Sequence, residues 1–375
     1  MSLVLYRKYR PKIFGQVVDQ EHVVRTLTNA LLLDKVAHAY LFAGPRGTGK
    51  TTVARLLAKA VNCQGKVVSS KNKKSLVAYE PCNKCPACQE INQGRSLDLI
   101  EIDAASNRGI DEIRELKQGI KFSPNSLKYK VFIIDEVHQL TKEAFNALLK
   151  TLEEPPGHAI FILATTEIHK VPETIISRCQ KFDFHKLPLE KIIERLGWIA
   201  KQEKVGVEKS ALELIALNAN GCIRDGESLL GQIMAMEDKS ITLEEVRTIL
   251  GVTDIRAVQE LVEYLSQKKS SQAVFHVNQI FNQGYDLSQF AKALIGYLRK
   301  VMILKIDSGL TELVAAELTK EQIEGIIGQG EKFSQGELVA LINLFISAEN
   351  RINSSDFPQL PLELAVVECC ENIGE

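Results

Sequence analysis

A chain of 375 residues is longer than one hydrophobic core ordinarily serves, so two or three domains are expected. Its 45% apolar and 25% charged composition is that of a globular protein, and it excludes a disordered or fibrous one. The net charge of −1 gives no global signature of nucleic-acid binding, so any DNA contact must come from a local basic patch. No apolar run reaches the length of a membrane span, and Met1 to Arg10 lacks the apolar core of a signal peptide. A cytoplasmic protein without membrane contact is therefore expected. In that compartment the eight cysteines are not read as disulfides.

The segment Tyr6 to Lys12 is basic and aromatic, and an amphipathic helix is expected from about Gln20 to Leu33. Next comes a short apolar strand, Ala39 to Ala43, and then Gly44-Pro45-Arg46-Gly47-Thr48-Gly49-Lys50-Thr51. An amphipathic run beginning at Thr52 follows. Strand, glycine loop and helix form the context of a phosphate-binding loop. The glycines let successive N–H groups turn inward, and the new helix adds its positive end. Lys50 is placed to reach the β- and γ-phosphates of a nucleotide, and the Thr51 hydroxyl to hold Mg2+.

Cys63 follows the loop helix. After an intervening Lys- and Ser-rich stretch come Cys82, Cys85 and Cys88, separated by two residues each. Four thiols with such gaps suit a closed, structural Zn2+ site. An iron–sulfur cluster is the chemical rival, and unliganded thiols are the third reading. The long stretch from Gly65 to Pro81 reads as a surface loop.

A strand at Asp98–Asp103 leads into Ser106 and Asn107, either of which suits a helix N-cap, and then a helix carrying Ile113, Leu116 and Ile120. The run Lys130 to Glu136 is apolar until it ends in two carboxylates, as expected of a central parallel strand whose C-terminal end faces a ligand. Asp135 suits Mg2+ binding through water, and Glu136 the polarisation of an attacking water. A helix from Thr141 to Glu154 stops at Pro155-Pro156-Gly157. The next strand, from Ala159, ends in Thr165-Thr166, where a polar side chain can orient water. His38 and His138 are read as packing or hydrogen-bonding residues. After Leu187-Pro188 the chain turns helical, with a capping box at Thr242–Glu245 and others at Thr319–Gln322 and Ser334–Glu337. The run Phe290 to Ile306 is apolar around much of its circumference, as in a helix buried between neighbours or subunits.

In this order, Gly-x-x-x-x-Gly-Lys-Thr, Asp-Glu, Thr-Thr, Ser177-Arg178-Cys179 and Gly221-x-x-Arg224-Asp225 resemble the clamp-loader AAA+ ATPases. The inserted cysteines narrow the resemblance to the gamma/tau subunits of bacterial DNA polymerase III. So do Tyr9-Arg10-Pro11, Asp135-Glu136-Val137-His138 and Asn146 to Pro156. It covers nearly the whole chain and thins in the C-terminal helices, where Pro358-x-x-Pro361-Leu362-Glu363-Leu364 is the main echo. The loop before Cys82 is longer than the usual form. The additional domains of the longer tau form are not expected in this sequence.

The resemblance implies an α/β P-loop domain with a parallel sheet over residues 1–186, carrying the zinc module at 63–88. A helical lid at 187–251 and an all-helical collar at 252–375 complete the expected architecture. It implies ATP and Mg2+ at Gly44, Gly47, Thr48, Gly49, Lys50, Thr51, Thr52 and Asp135, with Tyr9, Arg10, Pro11, Val17 and Val18 covering the adenine. Glu136, Thr166 (or Thr165) as first sensor and Arg224 as second sensor complete the site. The resemblance further implies that Arg178 acts in trans as an arginine finger, and that Asn107 and Arg108 contact DNA phosphates. The implied partners are other clamp-loader subunits in a five-subunit ring, a sliding clamp and primer-template DNA. Two other classes remain: a different AAA+ motor, such as a helicase loader or branch-migration enzyme, and a non-hydrolysing ring subunit. The cysteine insert argues against the first. Intact Lys50, Thr51, Asp135 and Glu136 argue against the second.

Overall fold

The computed structural model describes residues 4–65, 79–109, 118–120, 122–236, 240–250, 255–307 and 320–372. Two compact units divide between Leu243 and Glu244.

The first unit is built on five parallel strands: β1 (Ala39–Ala43), β2 (Leu99–Asp103), β3 (Lys130–Asp135), β4 (Ala159–Thr165) and β5 (Gln180–Asp183). Their spatial order is β2-β3-β4-β1-β5. The two-residue period of a strand sends alternate side chains to opposite faces, and each face has its own core. Tyr40, Phe42, Val131, Ile133, Ile160 and Ile162 pack on one side with Val53, Leu56 and Leu57 of the loop helix Lys50–Val61 and with Val23, Val24 and Leu27 of the helix Glu21–Leu32. Leu41, Phe132, Ile134, Phe161 and Leu163 pack on the other with Phe145, Leu148 and Leu152 of the helix Lys142–Glu153. Both β1 and β4 are buried along their whole length, which is why they read as unbroken apolar runs.

All strands being parallel, the ends of β1, β3 and β4 open on the same edge, where the order reverses around β1. At the opposite edge Asp98, just before β2, accepts the N–H groups of Asn125, Ser126 and Leu127 at 2.8, 2.8 and 3.0 Å and so fixes the turn that leads into β3.

Helices Leu189–Glu203, Lys209–Asn218 and Ile223–Met236 follow the sheet, with a two-residue parallel pairing of Gly206–Val207 and Ser240–Ile241. The helix Leu243–Leu250 begins directly after Thr242.

The helix expected around Ile113 and Leu116 lies outside the described residues, as does most of the loop between Gly65 and Pro81 and the box position Thr319. Before that gap the turn belongs to Asp103. Its carboxylate accepts the Ala105 N–H at 2.9 Å and the Ser106 hydroxyl at 3.1 Å, and the Asn107 side chain donates to its carbonyl.

The second unit is helical. Its centre is the helix Leu287–Ile306, capped by the Asp286 carboxylate, which accepts from Ser288 and Gln289 N–H groups. Phe290, Ala291, Leu294, Leu298 and Val301 are fully buried within that unit, mainly against the helices Gln335–Ile352 and Lys320–Gly330. Ser334 and Glu337 make the reciprocal bonds of a capping box. No helix among the described residues is long and apolar enough to cross a membrane.

Candidate active site and metal centre

The glycine loop joins β1 to its helix in a shape only glycine allows. Gly44 has φ +147°, and a Cβ there would lie 2.3 Å from the Phe184 carbonyl oxygen, where β5 ends. Gly47 has φ +73°, and its Cβ would fall 1.9 Å from the sulfur of Cys222. The loop is thus pressed between the sheet and the helical part that follows it.

Inside this loop the Lys50 ammonium is buried and donates to the carbonyls of Gly44 and Pro45 at 2.7 and 2.8 Å. Burial pushes its pKa down, and the Glu136 and Asp135 carboxylates oppose that shift. The Thr51 hydroxyl donates to Asp135 Oδ2 at 2.7 Å. This pair of oxygens would suit a Mg2+ ion, held by the Thr51 hydroxyl and, through water, by Asp135.

Glu136 is a non-glycine residue with φ +49° and ψ 44°, a left-handed conformation that carries a conformational cost and turns its carboxylate away from the strand axis. Its Oε2 accepts both the N–H and the hydroxyl of Thr166, at 3.1 and 2.9 Å. His138, with a side chain only 3% exposed, lies 3.4 Å from the same oxygen and bonds the Thr165 hydroxyl at 2.9 Å. Of the two threonines, Thr166 is therefore the one that holds Glu136, while Thr165 is turned to the histidine.

Lys50, Thr51, Asp135 and Glu136 border a cavity of about 540 Å3, while Gly44 and Thr166 stand behind its lining. Its wall includes Gly47, Thr48, Gly49, Lys50, Thr51, Thr52, Asp135 and Glu136, with Arg10, Pro11, Val17, Val18 and Arg224 across from them. The Arg224 guanidinium sits over the Tyr6 ring at 4.8 Å. Tyr9 does not belong to the lining. Its ring meets Trp198 edge-on at 5.5 Å and its carbonyl accepts from Arg195, while Tyr6, three residues earlier, faces the cavity.

Three other lining residues carry no local signal of a site in the sequence. Arg195 and Glu227 form a buried pair at 3.1 Å, and burial pushes the Glu227 carboxyl up while Arg195 opposes it. Asp103 ends the strand beside Asp135.

Other expected residues lie elsewhere. Arg178 is partly exposed and pairs with Glu153 at 2.7 Å and with the Thr174 carbonyl at 2.8 Å, away from the cavity wall. Arg108 is exposed, donating to the Ala105 carbonyl, and Asn107 is half-buried.

Cys63, at the end of the loop helix, meets Cys82, Cys85 and Cys88. All four sulfurs lie within 4.8 Å of one another, and those of Cys82 and Cys88 are 3.9 Å apart. Tetrahedral Zn–S bonds of ~2.3 Å require sulfur separations of about 3.8 Å, so the donor set fits zinc. The N–H groups of Lys84 and Cys85 point at the Cys82 sulfur, as they do toward a thiolate. Burial raises the Cys82 thiol, but these bonds and the neighbouring thiols outweigh it and bring it down to about 6. Burial holds Cys88 well up.

A five-stranded parallel sheet with a glycine phosphate loop after β1, an acid pair after β3, a threonine after β4 and helices closing over them defines the AAA+ fold. Known families match the chain in three successive blocks. Residues 19–188 match "DNA polymerase III, delta subunit", residues 191–239 "DNA polymerase III clamp loader subunit, ATPase lid domain", and residues 241–373 "DNA polymerase III subunits gamma and tau domain III". The chain is 42% identical to DNA polymerase III subunit tau of Bacillus subtilis, over 98% of this chain and 63% of that protein. It is 39% identical to the tau subunit of Escherichia coli, over 85% of this chain and 48% of that one. With the gamma subunit of Buchnera aphidicola from Acyrthosiphon pisum it shares 36% identity over 88% of each chain. The chain belongs to the gamma/tau family of DNA polymerase III clamp-loader subunits. It spans about half to two thirds of the length of the tau relatives.

The metal centre gives a direct expectation. Freshly purified protein should contain about one zinc per chain, and Cys88→Ser should lower that content severalfold. A content far below one, or the visible absorbance of an iron–sulfur cluster, would contradict the zinc reading.

Proposed function

We propose that the chain is the ATP-hydrolysing motor of a clamp loader, which opens a sliding clamp and places it on primer-template DNA during replication. The observation that carries this reading is the convergence of Lys50, Thr51, Asp135 and Glu136 at one end of the cavity, with Thr51 and Asp135 in hydrogen-bond contact. The family membership supports the loader role.

In this reading Lys50 and the loop N–H groups hold the β- and γ-phosphates of ATP. Thr51 and Asp135 hold Mg2+, which neutralises phosphate charge when bound. Glu136, aligned by Thr166, accepts a proton from the attacking water. Arg224 reaches the γ-phosphate from the lid, which we take as residues 187–251, and Arg10, Pro11, Val17 and Val18 cover the adenine. The products are ADP and phosphate.

Residues 252–375 serve as the collar that joins this chain to other subunits in a ring, proposed to have five members. Arg178 supplies positive charge to a neighbour's ATP. Its position outside its own cavity and its partial exposure are compatible with that role. Asn107 and Arg108 contribute phosphate contacts to DNA inside the ring, where a few local charges suffice for a near-neutral chain.

The assembled loader should hydrolyse ATP faster with clamp and primed DNA, and Lys50→Ala should reduce that rate about 100-fold or more. An unchanged rate would remove the phosphate-loop assignment. In mixed assemblies Arg178→Ala should silence hydrolysis at the neighbouring wild-type site. Loss confined to the mutant's own site would refute action in trans.

A further inference from the structure

The four cysteines form a centre away from the cavity wall, yet the residues between and beside them grip the segment that runs along that wall. Glu80, two residues before Cys82, is buried, and its two carboxylate oxygens accept the consecutive N–H groups of Phe14 and Gly15 at 2.6 and 2.7 Å. A Cβ on Gly15 would lie 3.2 Å from one of those oxygens, so the approach is close. Asn83, between Cys82 and Cys85, has φ +57° and donates its side-chain amide to the Lys12 carbonyl at 3.0 Å.

Lys59 completes the junction. It belongs to the phosphate-loop helix and is 3% exposed. Its ammonium donates to the Lys12 carbonyl at 2.7 Å, to Asn83 Oδ1 at 2.7 Å and to Asn92 Oδ1 at 2.9 Å. Asn92 sits on the short helix Pro86–Gln93 that carries Cys88. All three ammonium hydrogens are thus used, and one side chain ties together the loop helix, the cysteine module and the N-terminal segment.

That segment has little structure of its own. Between Pro11 and Val17 it forms a single 3-10 turn, Phe14–Gln16, and at both ends it lines the cavity. A stretch with so few internal bonds takes its position from what holds it.

We propose that the cysteine module is the anchor of the base-covering side of the nucleotide site, with Glu80, Asn83 and Lys59 as positioning residues for Arg10, Pro11, Val17 and Val18. The inference rests on reading the cavity as an ATP site. It assigns the metal a role in nucleotide affinity: zinc fixes the backbone from which Glu80 and Asn83 reach the segment. The phosphate side is set by the ends of β1 and β3 and by Lys50 and Thr51 at the start of the loop helix, whereas Lys59 and Cys63 stand at that helix's far end. Weakening the anchor therefore removes base recognition and leaves phosphate recognition in place.

The test compares the affinity of the full chain for Mg·ATP with its affinity for Mg·tripolyphosphate, which has no base. Asn83→Gly keeps the left-handed backbone and removes the amide, and Glu80→Gln replaces one acceptor with a donor. Each should weaken ATP binding by about 5- to 10-fold while tripolyphosphate binding stays within about twofold. Zinc content should be retained in both, and amide hydrogen exchange in residues 12–18 should accelerate. Removal of zinc with a chelator should produce the same selective loss. Unchanged ATP affinity and exchange in both variants, or a parallel loss of ATP and tripolyphosphate, would overturn the anchoring role. Failure of the wild-type chain to bind either ligand would instead overturn the ATP-site reading, and this inference with it.

Discussion

One buried ammonium sets the geometry on which the rest of the first unit depends. Lys50 stands at the start of its helix, and its charge is turned back into the loop by the carbonyls of Gly44 and Pro45. A cation held out of water in this way is costly unless acceptors and opposite charges surround it. The requirement explains several features together. The loop must fold tightly enough to bring its carbonyls to the amine, which demands glycines at positive φ. The parallel sheet must deliver the ends of β1, β4 and β3 to one edge, so that the carboxylates of Asp135 and Glu136 lie near the loop lysine. Buried β1 and β4 and the apolar centre of β3 make that edge rigid, because their side chains are locked between two cores.

The acid pair is divided by backbone geometry. Asp135 ends β3 in regular conformation and meets Thr51. Glu136, one residue later, turns left-handed and is taken up by Thr166, just past the end of β4. Adjacent carboxylates thereby serve different directions, one toward the helix start and the other toward the end of the neighbouring strand. His138 supports the second arrangement from beneath, through Thr165.

Much of this was legible in the sequence because it is written in contiguous residues. Buried strands appear as apolar runs, a phosphate loop as closely spaced glycines, and a metal centre as cysteines two residues apart. Interactions set by tertiary packing were not legible. Lys59 reads as an ordinary solvated helix residue, and its burial follows only once the cysteine module and the Lys12 carbonyl are placed over it. Glu80 and Phe14 are distant in sequence, and no local pattern couples them. Tyr9 and Tyr6 carry the same ring on one short helical turn, so the choice of which faces the cavity falls to Trp198 and Arg195, which engage Tyr9. Strand β5 is nearly hidden by its polarity, since Phe182 is its single buried side chain.

The central claim is that this edge of the sheet separates nucleotide binding, through Lys50, Thr51 and Asp135, from activation of water, through Glu136 held by Thr166. Glu136→Gln tests it most directly, because it preserves shape and removes only the base. Measured side by side, its affinity for Mg·ATP should stay within about 3-fold of the wild type while its hydrolysis rate falls about 100-fold or more. Hydrolysis near the wild-type rate, or a loss of affinity equal to the loss of rate, would contradict the division of roles.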